Sequence, residues 1–460
     1  MKSVAPLFLS FGLGGCAAVG PDYRTPEIET PASFGERDAT SVSADEIARW
    51  WEVLDDPTLT ELVNEVLAAN LDLGTAVERV LAARATLRVS RSEFLPTVEG
   101  AGSYLRNRPF GLPNVETQDL WSAGGDLFWE IDLFGRIRRS VEASRASLEA
   151  EVEDLRGVQV ALAAETVATY LQAVSLEERL GIAERNVEAQ ERSLDIANRR
   201  FEGGMAAGLD PAQARVNLFT SRASIPALRL GLRQAKHRLA VLAGQEPRAL
   251  LDRVTTPKEL PPLPGELMVG VPADLLRNRP DIRAAERRLA AQTAQVGVAT
   301  AALYPSINLS ATWDWLAEKP ADLFGGDDTE AGSFGPLVTI PVFNAGRLRS
   351  RRSAEEAAMR QLDLQLRQRV LVAQEEVENA LVAVVRDRRQ VELLRDAVGA
   401  ARESVDLSRL LYTSGQSDFQ NVLDAQRSLF ALEDDVALAN LSVMLDVVDL
   451  YRALGGGWTP

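Results

Sequence analysis

The 460-residue chain carries a formal charge of −16 and holds one histidine and one cysteine. So acidic a chain makes nucleic acid or an anionic membrane surface a poor partner, because each approach meets like charge. His237 and Cys16 alone leave zinc, haem and iron–sulfur sites short of donors, and any Ser-His-Asp or Cys-His arrangement would have to use His237. That histidine sits in LRQAKHRLAVL with helix-type spacing and reads as a surface or packing residue. No apolar run reaches the ~18 residues a membrane-spanning helix requires, so any crossing of a bilayer must use strands.

The N-terminus, MKSVAPLFLSFGLGGC, places Lys2 before an apolar core from Val4 to Leu13. This layout predicts a secretory signal over residues 1–15. Leu13-Gly14-Gly15-Cys16 resembles a lipobox, and Cys16 has no second cysteine to pair with. Cys16 is therefore the predicted lipidated first residue, against the plainer reading of a cysteine that happens to lie near a cleavage site. Residues 16–49, rich in Pro, Thr, Ser and acidic side chains, predict an extended tether.

Residues 50–244 form a first structural copy. Trp50-Trp51 and DDPTLTELVNEVLAANLDL open helices, and Pro96 ends the helical run before TVEGAGSYLRN. In that stretch Val98, Gly100, Gly102 and Tyr104 share one face of a strand. A polar loop leads to LWSAGGDLFWEIDLFGRIRR, where Trp121, Ala123, Gly125, Leu127, Trp129, Ile131 and Leu133 share a parity opposite Ser122, Gly124, Asp126, Glu130 and Asp132. Period two is the mark of a strand with one apolar face. The two strands make a hairpin over about 97–134. From Gly135 to Phe201 there is no proline, and a helix of about 65 residues would run roughly 100 Å. Leu180, Val187, Leu194 and Phe201 fall seven apart, the spacing of a coiled-coil seam, with small Ala183 and Ala197 between them. Glu202-Gly203-Gly204 ends the helix, and a returning helical pattern follows over 212–244.

A proline-rich connector, 245–272, leads into a second copy over 273–454, with a short tail at 455–460. Asp281 lies 209 positions after Asp72, Pro305 lies 209 after Pro96, and Gly346 lies 211 after Gly135. The second hairpin is expected over about 306–343. It pairs Ile307, Leu309, Ala311, Trp313 and Trp315 on one face with a last strand in which Val338, Ile340 and Val342 share a parity. Val391, Val398, Val405 and Tyr412 repeat the seam, Ser414-Gly415-Gln416 ends the second long helix, and the return helix runs over 418–453.

Each copy thus supplies two strands of about ten residues, enough to cross a bilayer when tilted. Four strands cannot close a barrel, and an open edge in lipid leaves backbone groups unpaired at several kcal/mol each. Copies of the chain must complete one another. The other possibility, a soluble sheet packed on helices, fits poorly with the long helices and the lipobox-like site.

The segments WW…DDPTLTELV, DLFWEIDLFGRIRR, RPDIRAAERRLAA, PVFNAGRLRS, LDAQRSLF and the terminal LGGGW together resemble the outer-membrane factor (TolC-like) family. The likeness is to its NodT-like lipoprotein branch, which serves resistance–nodulation–division efflux systems. The resemblance implies a mainly α fold with a membrane β part and a duplicated strand-hairpin and long-helix body. It implies a trimeric α/β barrel with four strands per chain, twelve in total. It further implies a passive exit duct in the outer membrane with no enzymatic chemistry and no cofactor beyond lipid on Cys16. Its partners would be a periplasmic adaptor (membrane fusion) protein, an inner-membrane proton-driven pump and outer-membrane lipid. Asp424 and Arg427 match the family's acidic and basic periplasmic gate positions, and Gln420 stands where an apolar plug residue is common. Gly203, Gly204 and Gly415 mark the helix-tip turns expected to dock the adaptor. The competing readings are the outer-membrane component of a type I protein secretion system, which would use the same body, and a pore-less coiled-coil lipoprotein. An ordinary solvated i,i+3 pair is the plain reading of Asp424 and Arg427.

Overall fold

The computed structural model describes residues 18–27, 47–108, 117–251, 253, 260–261, 278–325 and 327–458. Cys16, the predicted signal and most of the predicted connector lie outside them. After a 3-10 turn at Trp50–Leu54 come helices α1 (Pro57–Ala69) and α2 (Leu71–Ser92), then strands β1 (Thr97–Asn107) and β2 (Gln118–Ile131). Helices α3 (Arg136–Glu202), α4 (Leu209–Leu242) and α5 (Pro280–Ala301) follow. Strands β3 (Ser306–Ala317) and β4 (Glu330–Thr339) and helices α6 (Arg347–Thr413) and α7 (Phe419–Ala453) complete the order. Helices α3 and α6 are each 67 residues long, and α2 and α5 are each 22. No helix among the described residues is long and apolar enough to cross a membrane.

The chain divides into two compact units whose borders cut through both copies. One gathers residues up to Ile28, Arg79–Val152 and Ala284–Arg367; the other holds Glu29–Glu78, Glu153–Arg283 and Gln368–Pro460.

The first unit carries an antiparallel sheet in the order β1-β2-β3-β4, so β1 and β4 are its free edges. Tyr104 faces Trp121, Gly125 faces Trp313 and Ala311 faces Phe334 across the ladders. These pairings put the apolar parity of all four strands on one side. On the other side Ser103 bonds Ser122 at 2.7 Å and Thr312 bonds Ser333 at 2.9 Å. The alternation in β2 ends at Asp132 for a local reason. Its carboxylate accepts the N–H groups of Ile137 and Arg138 at 3.1 and 3.0 Å, capping the first turn of α3. The last strand is shorter than expected. It stops at Thr339, which pairs with Ser306, the first residue of β3. Ile340 and Val342 have no strand opposite, Pro341 cannot donate to a ladder, and Val342 stands 90% exposed.

In the same unit residues 18–27 lie as a strap along α3 and α5. Val19 N–H donates to the Phe134 carbonyl at 3.1 Å, and the buried Arg139 donates to Val19 O and to Asp22. Tyr23 donates to Glu286 at 3.1 Å. At the crossing, Gly20 approaches Gly297 so closely that a Cβ on Gly20 would sit 2.5 Å from the Gly297 Cα.

The second unit holds the main apolar core, built from Trp50, Trp51, Leu59, Val63, Tyr170, Leu171, Leu239, Met444 and their neighbours. Asp56 caps α1 by accepting from Thr58 and Leu59 N–H, and its second oxygen accepts the Tyr170 hydroxyl at 2.6 Å. Trp50 stacks on Tyr451 at 5.1 Å. The terminal LGGGW, expected as a tail, is packed inside. Gly457 N–H donates to Ile47 O, Arg279 donates to the Ala453 carbonyl at 2.7 Å, and the Arg156 guanidinium lies 4.5 Å from the Trp458 ring. Three of the sequence motifs, WW, RPDIR and LGGGW, therefore meet at one place.

Candidate functional site

The long helices α3 and α6 each end in the same turn. Gly204 N–H donates to Phe201 O and Met205 N–H to Arg200 O; Gly415 N–H donates to Tyr412 O and Gln416 N–H to Leu411 O. This is the paired pattern that ends a helix on a left-handed residue, and φ is +67° at Gly204 and +77° at Gly415. Gly203 differs: its backbone is not left-handed, and a Cβ there would meet Met205 and the Arg199 carbonyl at 3.2 and 3.3 Å.

Around these turns a small apolar cluster holds Ala197, Ala214, Tyr412, Phe419, Val422 and Leu423. Tyr412 and Phe419 rings lie 4.9 Å apart, and Arg200 sits 4.8 Å over Tyr412 while donating to the Thr413 carbonyl. The Tyr412 hydroxyl donates to Asp210 at 2.9 Å. Burial, and then that bond, push Tyr412 up to about 12, so it stays a donor at neutral pH. The seven-residue seam is partly as expected. Leu180, Val391, Val398 and Tyr412 are buried, Val187, Leu194 and Val405 half-buried, and Phe201 is 49% exposed.

The three expected gate residues come together on the first turns of α7. The Asp424 carboxylate accepts from Gln420 Nε2 at 3.0 Å and from Arg427 Nη1 at 3.2 Å. It is thus bridged by residues four before and three after it on one helix face. Asp424 and Arg427 side chains are 56% and 49% exposed. Arg427 has a second partner that sequence reading did not single out: its Nε donates at 2.6 Å to Asn217 Oδ1 on α4. Asn217 is buried, as are Gln190 on α3 and Gln426 on α7. Gln190 had a signal, since it lies seven residues from both Ala183 and Ala197. Asn217 had none.

The sheet's apolar side is aromatic at two levels. Tyr104 packs on Trp121 at 4.5 Å, and Trp315 lies 5.4 Å from Phe324, towards one end. Trp129, whose indole donates to the Phe94 carbonyl at 2.9 Å, marks the end that joins α3. The polar side carries Glu99, Asp126 and Asp314 and the Ser and Thr pairs. Among the described residues no cluster of three or more His, Cys, Asp or Glu could hold a metal.

Known proteins share this fold. The family model described as outer membrane efflux protein matches residues 62–245 and 271–456. Nodulation protein T of Rhizobium leguminosarum bv. trifolii is 33% identical over 98% of this chain and 97% of its own length. The pyoverdine export outer membrane protein OpmQ of Pseudomonas aeruginosa is 31% identical over 100% of this chain and 97% of its own. Among solved structures, the outer-membrane channel OprN superposes with a TM-score of 0.87 at 36% identity, covering 96% of this chain and all of that one. The chain belongs to the outer membrane efflux protein family, a family of outer-membrane channels and not of enzymes.

Proposed function

We propose that three copies of this chain form a passive exit duct across the outer membrane and periplasm, as the channel of a tripartite efflux pump. The observation that carries this reading is the sheet: four strands with one apolar, aromatic face and two unpaired edges, β1 and β4. Each edge carries backbone donors and acceptors that cost several kcal/mol apiece if left in lipid. Pairing β4 of one copy with β1 of the next closes a twelve-stranded barrel and leaves no edge. From Trp121 to Trp129 is about 26 Å of strand, or about 20 Å of height at a tilt of about 40°, comparable with the apolar band of such barrels.

Cys16, two residues before the strap begins, takes lipid. Ala18, two residues further on, lies against Gly135, where β2 turns into α3. The long helices run into the periplasm, and the turns at Gly203, Gly204 and Gly415 dock the adaptor protein. An inner-membrane pump driven by protons supplies the work, and this subunit performs no chemistry and needs no cofactor. At the tip, Asp424, Arg427 and Gln420 form the gate: near a three-fold axis, rings of charge narrow and tune the pore.

Mass measurement of the detergent-extracted complex should give three copies, and the same material should open channels in planar bilayers. A stable monomer with full strand content, or a trimer that never conducts, would overturn the proposal.

A further inference from the structure

Helices α2 and α5 correspond residue for residue, Leu71–Ser92 to Pro280–Ala301, and so do α3 and α6, Arg136–Glu202 to Arg347–Thr413. The two halves of the chain repeat their contacts as well. Ser90 on α2 bonds Ser144 on α3 at 2.7 Å; in the second half Gln292 on α5 bonds Glu355 on α6, the counterpart of Ser144, also at 2.7 Å. A third seam joins the halves. Here α5 lies on α3, with Arg287 paired to Glu149 at 3.4 Å and Arg283 to Glu153 at 3.1 Å. The counterpart of this seam would be α6 on α2, and the residues that would form it are bare.

On α5, Pro280, Arg283, Arg287, Ala290 and Ala294 follow at steps of three and four along one helix face, and none is exposed. Their counterparts on α2, Leu71, Gly74, Glu78, Leu81 and Ala85, are exposed without exception. The facing helix shows the same contrast. Ala143, Ala146 and Ala150 on α3 are buried, whereas Ala354, Ala357 and Gln361 on α6 are exposed. The ion pairs have counterparts too. Glu153 and Arg283 correspond to Leu364, 66% exposed, and Gly74, above which a Cβ would meet nothing within 4 Å. Glu149 and Arg287 correspond to Arg360 and Glu78, so the charges change places. Both are exposed and have no ion-pair partner among the described residues.

We propose that the bare face of α2 seats α6 of the next chain, with Arg360 opposite Glu78 and Leu364 over Gly74, and that the exchanged charges key this seam against the wrong one. The seam continues the joint between β4 and β1, since α2 leads into β1 and α6 follows β4. Inside a chain the acidic residue is on α3 and the basic one on α5; between chains the basic residue is on α6 and the acidic one on α2. If α5 of another chain took the place of α2, Arg287 would face Arg360. If α2 settled on α3 of another chain, Glu78 would face Glu149. Like charges oppose both errors. Each second half therefore accepts only a first half, the alternation a closed ring of chains needs. The seam rests on the trimeric reading above and adds to it which surfaces meet and what selects them.

Full-length protein extracted in detergent tests the seam. Glu78→Cys/Arg360→Cys treated with a short bis-maleimide should give covalently joined dimers and trimers on a denaturing gel. Glu149→Cys/Arg287→Cys should join helices within one chain and run as a monomer. Glu78→Arg or Arg360→Glu alone should make trimers dissociate about tenfold faster, and the two together should return the rate to within about twofold of the wild type. Cross-links that are absent, or confined to single chains, in material whose mass gives trimers would overturn the seam and leave the trimer standing. A double variant that dissociates as fast as its singles would overturn the charge key. Wild-type protein that never gives trimers would overturn the trimeric reading and the seam together.

Discussion

The two charged residues proposed as the gate are not held alike, and the difference predicts an ordered response to mutation. Asp424 is more than half exposed, and its contact with Arg427 is a surface pair at 3.2 Å. Such pairs contribute about 0.5 kcal/mol or less, so Asp424→Ala should leave the fold nearly as stable as before. Arg427 also satisfies Asn217, which is 6% exposed and whose Nδ2 has no partner among the described residues. Arg427→Ala strips the last bond from a buried amide, a loss of about 1–3 kcal/mol. Replacing both members, Arg427→Ala with Asn217→Leu, removes the orphaned amide and should recover most of that loss. Thermal melts of the three variants as purified trimers give the ranking, and bilayer recordings give the gate effect. Asp424→Ala and Arg427→Ala should both raise conductance, whereas only Arg427→Ala should lower the melting temperature clearly. Equal melting losses from the two single variants, or no recovery in the double, would refute the assignment of Asn217 as the buried partner.

Two further outcomes can be checked directly. Burial, with the Asp387 carboxyl next, pushes Asp446 up to about 6 from an ordinary value of 3.8. The native state then holds a proton that the unfolded chain releases between about pH 4 and pH 6, so stability falls as pH rises through that window. Asp446→Asn should stabilise the protein by about 1 kcal/mol at pH 7.5, after discounting for partial exposure, and by nothing at pH 4. A gain that is the same at both pH values would argue against a raised carboxyl. Labelled palmitate should appear in the wild-type protein and be lost in Cys16→Ser, while barrels still assemble because their edges close by strand pairing. Label retained in Cys16→Ser would place the lipid elsewhere.

Periodicity makes most of this architecture legible in the amino-acid sequence. The period of two across Trp121–Ile131 and Ile307–Trp315 named the apolar side of the sheet, because side chains on a strand must alternate whatever the strand pairs with. The absence of proline from Gly135 to Phe201, and the same run 211 positions later, named two very long helices. Asp424, Arg427 and Gln420 could be placed on one helix face by spacing alone. What spacing cannot supply is which distant segment lies opposite. Thr339 ends β4 because β3 begins at Ser306, a fact of register. LGGGW reads as a tail, yet it is buried because Ile47, Arg279 and Arg156 come from three other parts of the chain to receive it. Asn217 is one polar residue on a helix of mixed pattern until α7 brings Arg427 within 2.6 Å of it. Local sequence determined the elements and their faces, since those follow from the backbone's own periods. Only the tertiary structure decided which buried polar groups are satisfied, since each depends on a partner from far away in the chain.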